Sequence, residues 1–502
     1  MLKVILAGHT LDREFVLALR RGDLPADVDP TPETISAAYA RISRFPEPIP
    51  ELRAQARRDV PASRKSNRTI VFRMGHHSVA EHVQLNFDIL GVSRLALEAL
   101  EDARLCSYTE KSQRYVTFGG EHVVPEEFGP AERELFETTA GEQIAFYRRA
   151  FEKLLELQRR RNPDMLGTKT GAETVEGWAK EDARYALGLA TETQLGFSGN
   201  ARNIEHVVRK LRHHPLAEVR ALSRGLFEAA SEVAPSLIIL SDPERFREAF
   251  GRDVSDAFVA RGRATIERLA REAMASARPA AASVGWTEGD VTLLGGPADP
   301  DAAVLAALLH SGSGLPYADC SARAKVMSPG ERRGFVRDAL AELSEFDALP
   351  REFEAASFTF EIVLSAACFG QLKRHRMMTL AAQPYDPGLG ITVPDAVREA
   401  GLEDGLRTLA HRTADAFGRL AAVAPRAAEY VLCNAHRRRA LAVIDLREIH
   451  HMARLRMDKH AQWDIRNVTA AITALACRAA PATSALACGK DAFAEARSAL
   501  RA

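Results

Sequence analysis

The feature that most constrains this chain is that it restarts. KVILAG at 3–8 returns as VTLLGG at 291–296, and further matches follow in the same order. ARYAL (183–187) followed by NAR (200–202) returns as AEYVL (428–432) followed by DLR (445–447), at a constant spacing of 245 residues. Earlier, EHVQLNFDI (81–89) matches EAASFTFEI (354–362) at a spacing of 273, so the second copy carries a net deletion of 28 residues. Ordered matches of this kind read as a tandem duplication, and whatever fold one half adopts the other must share.

Apolar residues at three- and four-residue spacing predict helices through 131–160, 215–275, 396–424 and 440–480. Strand-like stretches are fewer: Val4–Ala7, Val83–Ile89, Val291–Leu294 and Phe358–Val363. The Ala-rich segment Ser276–Gly295, interrupted by Pro279, Gly285 and Gly289, marks the boundary between copies, giving domains 1–278 and 287–502.

The 67 basic and 67 acidic side chains cancel, leaving no overall field to attract nucleic acid or an anionic membrane. The apolar runs, such as the one beginning at Ala302, are too short to span a bilayer. The opening MLKVILAGHT reads as a first strand, not a secretory signal. Six scattered cysteines without a CxxC pair suggest packed thiols in a reducing cytoplasm, with neither disulfide framework nor zinc site.

Four segments invite a chemical reading. In MGHHSVAEH (74–82), His77 and Glu81 would share a helical face, with His76 and His82 nearby; a metal site and a polar turn both fit. In SYTEKSQRY (107–115), an extended backbone would aim Glu110, Ser112 and Arg114 to one side, suiting a ligand with hydrogen-bond donors and a phosphate. In QLKRHR (371–376), Gln371 and Arg374 are neighbours on a helical face. In the stretch 445–466, Arg447, His451 and Arg454 would form one face beside a core of Ile449, Met452, Ala453 and Leu455, with Arg456 displaced. A solvated basic face explains that helix nearly as well.

Taken together, these segments resemble the flavin-dependent thymidylate synthases. That family carries a Gln-x-x-Arg-His-Arg-x-x-Ser-x-Asn-Glu-x-Ser-x-Arg-Tyr signature, an Ala-Arg step, an Asn-x-Arg helix start and an Ala-Gln-x-Glu-Ile-Arg ending. Here the signature is split. The first copy keeps Ser107, Glu110, Ser112, Arg114 and Tyr115 but has Asp102 and Ala103 at the Arg and His positions. The second keeps Gln371, Arg374, His375 and Arg376 but has Ala382, Pro384 and Asp386 at the Glu, Ser and Arg positions. It also keeps Arg447, His451, Arg456 and HAQWDIR, while its Ala-Arg step has become Glu429 and Asp445 replaces the Asn.

The resemblance implies two tandem α/β (α+β) domains, helix-rich with a small central sheet each. It implies an FAD-dependent thymidylate synthase that methylates dUMP to dTMP with methylenetetrahydrofolate and NADPH, at a composite site drawn from both copies. By this resemblance Glu110, Ser112, Gln113, Arg114, Arg184, Gln371, Arg374 and Arg456 hold dUMP, with Arg374 and Arg456 catalytic. His76, Ser78, Glu81, Asn200, Arg202, His206, His375, Arg376, Arg447 and His451 would contact FAD, and no metal is expected. A homodimer of two-copy chains would rebuild the family's four-domain assembly. Thr109 at the signature's Asn position leaves open a flavoenzyme for another pyrimidine nucleotide, and the split signature leaves open a non-catalytic nucleotide binder.

Overall fold

In the computed structural model, residues 1–24, 29–275 and 285–501 are described. They form two compact units. The first comprises Met1–Glu142, Gly188–Arg278 and Asp415–Val431; the second comprises Gln143–Leu187, Pro279–Ala414 and Leu432–Ala502. Each unit therefore includes one segment from the other half of the chain. Residues 276–284 of the expected boundary lie outside the described residues. The division into copies at 278 and 287 stands as our proposal.

The first unit is built on an antiparallel sheet of β1 (Lys3–His9), β2 (Gln84–Ser93), β3 (Ser107–Glu110) and β4 (Glu192–Asn200), in the order β1-β2-β4-β3. Alternation along β2 buries Leu85, Phe87 and Ile89 and exposes Gln84, Asn86 and Asp88, as a half-buried strand requires. Phe197 of β4 stacks between Phe87 and Tyr108, with centroids 5.7 and 5.4 Å away. The helices Ala201–Leu211 and Ala217–Val233 follow β4, burying Ile204, Val208, Leu222 and Leu226.

The second unit repeats this arrangement. Strands β5 (Trp286–Glu288), β6 (Val291–Gly295), β7 (Ser357–Ser365), β8 (Thr379–Ala382) and β9 (Arg437–Asp445) lie in the order β5-β6-β7-β9-β8. Without the edge strand β5, the order is that of the first sheet. The registers also agree. Val4 pairs with Ile89 as Val291 pairs with Ile362, and both β1 and β6 shift register before a glycine, Gly8 or Gly295. Gln84 pairs with Asn200 as Ser357 pairs with Asp445. The single local difference is a bulge in β2 at Gly91, whose φ of 68° favours glycine; β7 pairs with β9 without a shift. Strand register is fixed by which face is buried, so two sheets with one register are strong support for the duplication.

Serine ends each central strand and caps the helix that follows. Ser93 accepts from the Ala96 amide and Ser365 from the Cys368 amide. Each serine also donates to a buried carboxylate, Ser93 to Glu218 at 2.7 Å and Ser365 to Asp464 at 2.6 Å. A tyrosine donates to the same carboxylate: Tyr430 to Glu218 at 2.5 Å in the first unit, and Tyr185 to Asp464 at 2.8 Å in the second. Burial pushes the pKa of both carboxylates up.

The predicted strands all form, and α/β architecture with a small sheet per unit is what the structure has. Two readings of periodicity change. The helix expected from 440 begins as strand β9 and turns helical only at Leu446, because an apolar Ala440–Ala442–Ile444 face alternates with period two. The His77–His82 turn is a 3-10 helix, whose three-residue period takes His77 and Glu81 off a common face.

Glu218 also accepts from the Ser93 backbone N–H, at 2.7 Å. Glu218→Ala would strand three donors in the first unit, and we expect a loss of about 3 kcal/mol, several degrees in melting temperature. Calorimetry checks this, and an unchanged transition would refute it.

Candidate functional site

The second unit gathers the front half of the signature. The helix Ala366–Leu372 carries Gln371, which is 7% exposed. The helix Leu446–Arg456 brings Arg447, Glu448, His451 and Arg456, and Trp463–Ala479 begins at Gln462. The segment 169–187 supplies Asp182, Arg184 and Tyr185, all buried. Burial pushes the Cys368 thiol of the Gln371 helix well up, and the charges of Arg184 and Arg456 oppose that shift.

Hydrogen bonds wire this cluster. Gln371 donates from Nε2 to Gln462 Oε1 (3.0 Å), and Gln462 donates from Nε2 to Tyr185 Oη (3.0 Å). Tyr185 donates to Asp464 and stacks on Trp463 at 5.6 Å. The Trp463 indole donates to Asp182 at 2.7 Å, and Asn434 donates to the Arg184 carbonyl at 2.9 Å. Burial pushes Asp182 up to about 7, against the opposing pull of Trp463 and Arg184.

His375 sits between two partners. Arg456 donates from Nε to His375 Nε2 at 2.9 Å, so Nε2 is the unprotonated nitrogen. The proton is then on Nδ1, which donates to Glu448 at 3.1 Å. Burial lowers the His375 pKa, keeping the ring neutral and able to hold Arg456. His375, expected at the flavin, thus orients the Arg456 guanidinium in this structure. Arg374 and Arg376 lie just beyond the helix and are exposed, as is His451.

In the first unit, Glu110 ends β3 and pairs with Arg94; its carboxylate is 3% exposed. The extended backbone expected through Arg114 stops there. Ser112 accepts from the Arg114 amide at 3.1 Å and closes a turn, so the three side chains do not alternate along one strand. Gln113 is buried. His76, Ser78, Arg202 and His206 are exposed, with Arg202 paired to Glu81 at 2.5 Å. His77 and His82 pack edge-on against Phe72 and Tyr39. Among the described residues, no group of three or more His, Cys, Asp or Glu side chains is arranged to hold a metal.

Asn200 and Asp445 do one job: each caps its helix, accepting from Asn203 or Glu448. The change of Asn to Asp therefore leaves the helix start intact. Arg447 donates to the Leu349 carbonyl and pairs with Glu354, the counterpart of the Arg202–Glu81 pair. Arg454 is not on a solvated face. It is buried, donates to the carbonyls of Ser344, Glu345 and Asp347, and lies over the Phe493 ring. The basic spacing of this helix hid a structural clamp.

Sequence reasoning singled out Gln371, Arg184 and Arg456 but missed Tyr185, Gln462 and Asp464. Their signal was present: ARYAL and HAQWDIR carry them, and tyrosine recurs at Tyr430. At the first unit's equivalent positions stand Ala99, Leu216, Leu211, Ala103 and Glu429 in place of Gln371, Gln462, Arg456, His375 and Arg184. The cluster is particular to the second unit.

The family described as thymidylate synthase complementing protein matches residues 26–236 and 297–482. The chain belongs to that family, in two consecutive copies. Among its relatives, a UPF0159 protein of Chlamydia muridarum is 27% identical over 80% of this chain and 76% of its own length. A flavin-dependent thymidylate synthase of Geobacter sulfurreducens is 31% identical, over 41% of this chain and 81% of its own length. Of solved structures, the UMP/dUMP methylase PolB of Streptomyces cacaoi aligns with 51% of this chain and 98% of its own, at 19% identity and a TM-score of 0.35.

The raised Asp182 carboxyl has a consequence for stability. Between its ordinary value of 3.8 and about 7, the folded state binds the proton that the unfolded state releases. This contribution is complete below 3.8 and is lost as pH rises through about 7. Asp182→Asn keeps an acceptor for Trp463, and should flatten that part of the pH dependence in urea unfolding at pH values across the interval. A variant as pH-dependent as the parent would contradict the assignment.

Proposed function

We propose that the chain is a flavin-dependent thymidylate synthase, converting dUMP to dTMP with methylenetetrahydrofolate as carbon donor and NADPH as reductant. The observation that carries this reading is the buried relay that holds Gln371, with Arg184 buried next to the relay's Tyr185 and Arg456 held by His375, at positions that match the family's signature. Guanidinium forks in a largely desolvated setting suit a nucleotide monophosphate and the polarised edge of a pyrimidine.

In this reading Arg184 and Arg456 hold and neutralise the nucleotide, and His375 keeps Arg456 in place. Gln371 contacts the nucleotide and Arg374 acts beside it. Glu110, Ser112, Gln113 and Arg114 are assigned to the same ligand on the sequence signature alone. The signature assigns His76, Ser78, Arg202 and His206 of the first unit and Arg376 and His451 of the second to FAD; all are exposed, and groups of these kinds suit a pyrophosphate. Glu81, Asn200, His375 and Arg447 are assigned to the cofactor by the signature. When bound, FAD supplies the two reducing equivalents by which the carbon transferred to C5 of the uracil becomes a methyl group. The protein's own work is positioning and charge.

The six cysteines are all free thiols, which supports a reducing, cytoplasmic setting. Among the described residues no helix is long and apolar enough to cross a membrane. We assign a homodimer of two-copy chains. One observation favours the rival reading of a non-catalytic binder: the Glu110 carboxylate is already paired to Arg94.

The test is the absorption spectrum of the purified protein followed by tritium release from dUMP labelled at C5, with NADPH and methylenetetrahydrofolate. Flavin absorbance with release is expected, and kcat/KM should fall about 100-fold or more in Arg184→Ala and Arg456→Ala. Arg114→Ala should fall likewise. A colourless protein that is inactive with added FAD would overturn the enzyme reading; nucleotide binding without turnover would favour the rival.

A further inference from the structure

The wiring around Gln371 fixes which end of its amide meets a ligand. Gln462 Oε1 accepts the backbone N–H groups of Asp464 and Ile465, at 3.2 and 3.4 Å, and so caps the helix Trp463–Ala479. A backbone N–H can only donate, so that atom is oxygen whatever the placement of hydrogens. The Gln371 amide atom 3.0 Å from it is then the nitrogen. Its second hydrogen points to the Ala367 carbonyl at 3.5 Å. Both Nε2 hydrogens are thus directed inward. Oε1 of Gln371 accepts no hydrogen bond from any described residue.

The rest of the relay has no freedom to reverse. Gln462 Nε2 donates to Tyr185 Oη, so the tyrosine proton goes to Asp464 Oδ2. Ser365 donates to the same oxygen, having accepted from the Cys368 amide. Gln462 and Ser365 are fully buried and Tyr185 is 1% exposed, so water cannot replace these partners. Turning the Gln371 amide over would set two carbonyl oxygens against each other.

The duplication supplies an internal control. The first unit keeps the serine, carboxylate and tyrosine as Ser93, Glu218 and Tyr430. It lacks both glutamines, having Ala99 and Leu216, and the helix at Leu216 has no side-chain cap. The serine–carboxylate–tyrosine contact thus occurs in both units, and the glutamine relay is confined to the unit that carries Arg184 and Arg456.

We infer that Gln462 and Tyr185 are positioning residues that hold Gln371 with its carbonyl oxygen toward the nucleotide, so that the site selects a ligand offering a hydrogen-bond donor there. This rests on the proposed reading in one respect, that Gln371 contacts the nucleotide. In dUMP the donor is either the ring N3–H or the sugar 3′-hydroxyl, since the ionised phosphate oxygens and the uracil carbonyls only accept.

Calorimetric titration of the full chain with dUMP, N3-methyl-dUMP and 2′,3′-dideoxyuridine monophosphate distinguishes the two sources. One analogue should bind at least about tenfold more weakly than dUMP. That penalty should shrink to within about twofold in Gln371→Leu, and diminish in Gln462→Leu and Tyr185→Phe, with melting curves reporting folding. If Gln462→Leu does not fold, Gln371→Leu decides. A lost penalty in Gln371→Leu with dUMP binding retained is not expected from a purely structural role. Equal binding of all three ligands by the parent, or a penalty that survives Gln371→Leu, overturns the inference and leaves the proposed function standing. Failure of dUMP itself to bind removes both.

Discussion

In each unit a serine and a tyrosine share one buried carboxylate, and the remaining architecture is arranged about that contact. The serine marks where the central strand becomes a helix, so the bond fixes the turn that carries the signature residues. The carboxylate stands at the first turn of the helix after β4 or β9's own helix, and the tyrosine comes from the segment contributed by the other half of the chain. Three elements distant in sequence are joined at a site shielded from solvent. Leaving any of the donors unmade there costs the full desolvation of a polar group, which explains why both units hold all three.

On that shared frame the two units differ by whole interacting pairs. Arg94 and Glu110 pair in the first unit, and their counterparts in the second are Ala366 and Ala382. Gln371 and Gln462 pair in the second, and their counterparts are Ala99 and Leu216. Removing both members of a buried pair strands no donor or charge, whereas removing one would. The capping contacts are unchanged because Asn200 and Asp445 offer the same acceptor oxygen to the helix start. Divergence in binding groups has proceeded without disturbing strand register or helix caps.

Much of this was legible in the sequence. The repeat, the four apolar strands and the division of the signature are properties of residue order, and the sheets reproduce the repeat, with the first strands shifted one residue from the sequence match so that Val4 and not Lys3 corresponds to Val291. The misreadings had local causes. Arg438, buried over the Phe369 and Tyr385 rings, interrupts the alternation that would have announced β9. Arg454 imitates a solvated basic face while holding three carbonyls. Ser112 caps a turn that its alternating neighbours disguise as strand.

The sequence by itself determined that two copies of one α/β fold follow each other, and which copy holds which part of the family signature. Identity and spacing suffice for that, because they are written along the chain. Only the tertiary structure decided that Tyr185 reaches Asp464, that His375 holds Arg456, and that Gln371 turns its nitrogen inward. Those facts depend on groups up to 279 positions apart meeting at hydrogen-bond distance, and on backbone N–H groups whose direction is set by the helix they begin. A side-chain amide has two ends of nearly equal shape, and its orientation is fixed by the partners that folding brings to it.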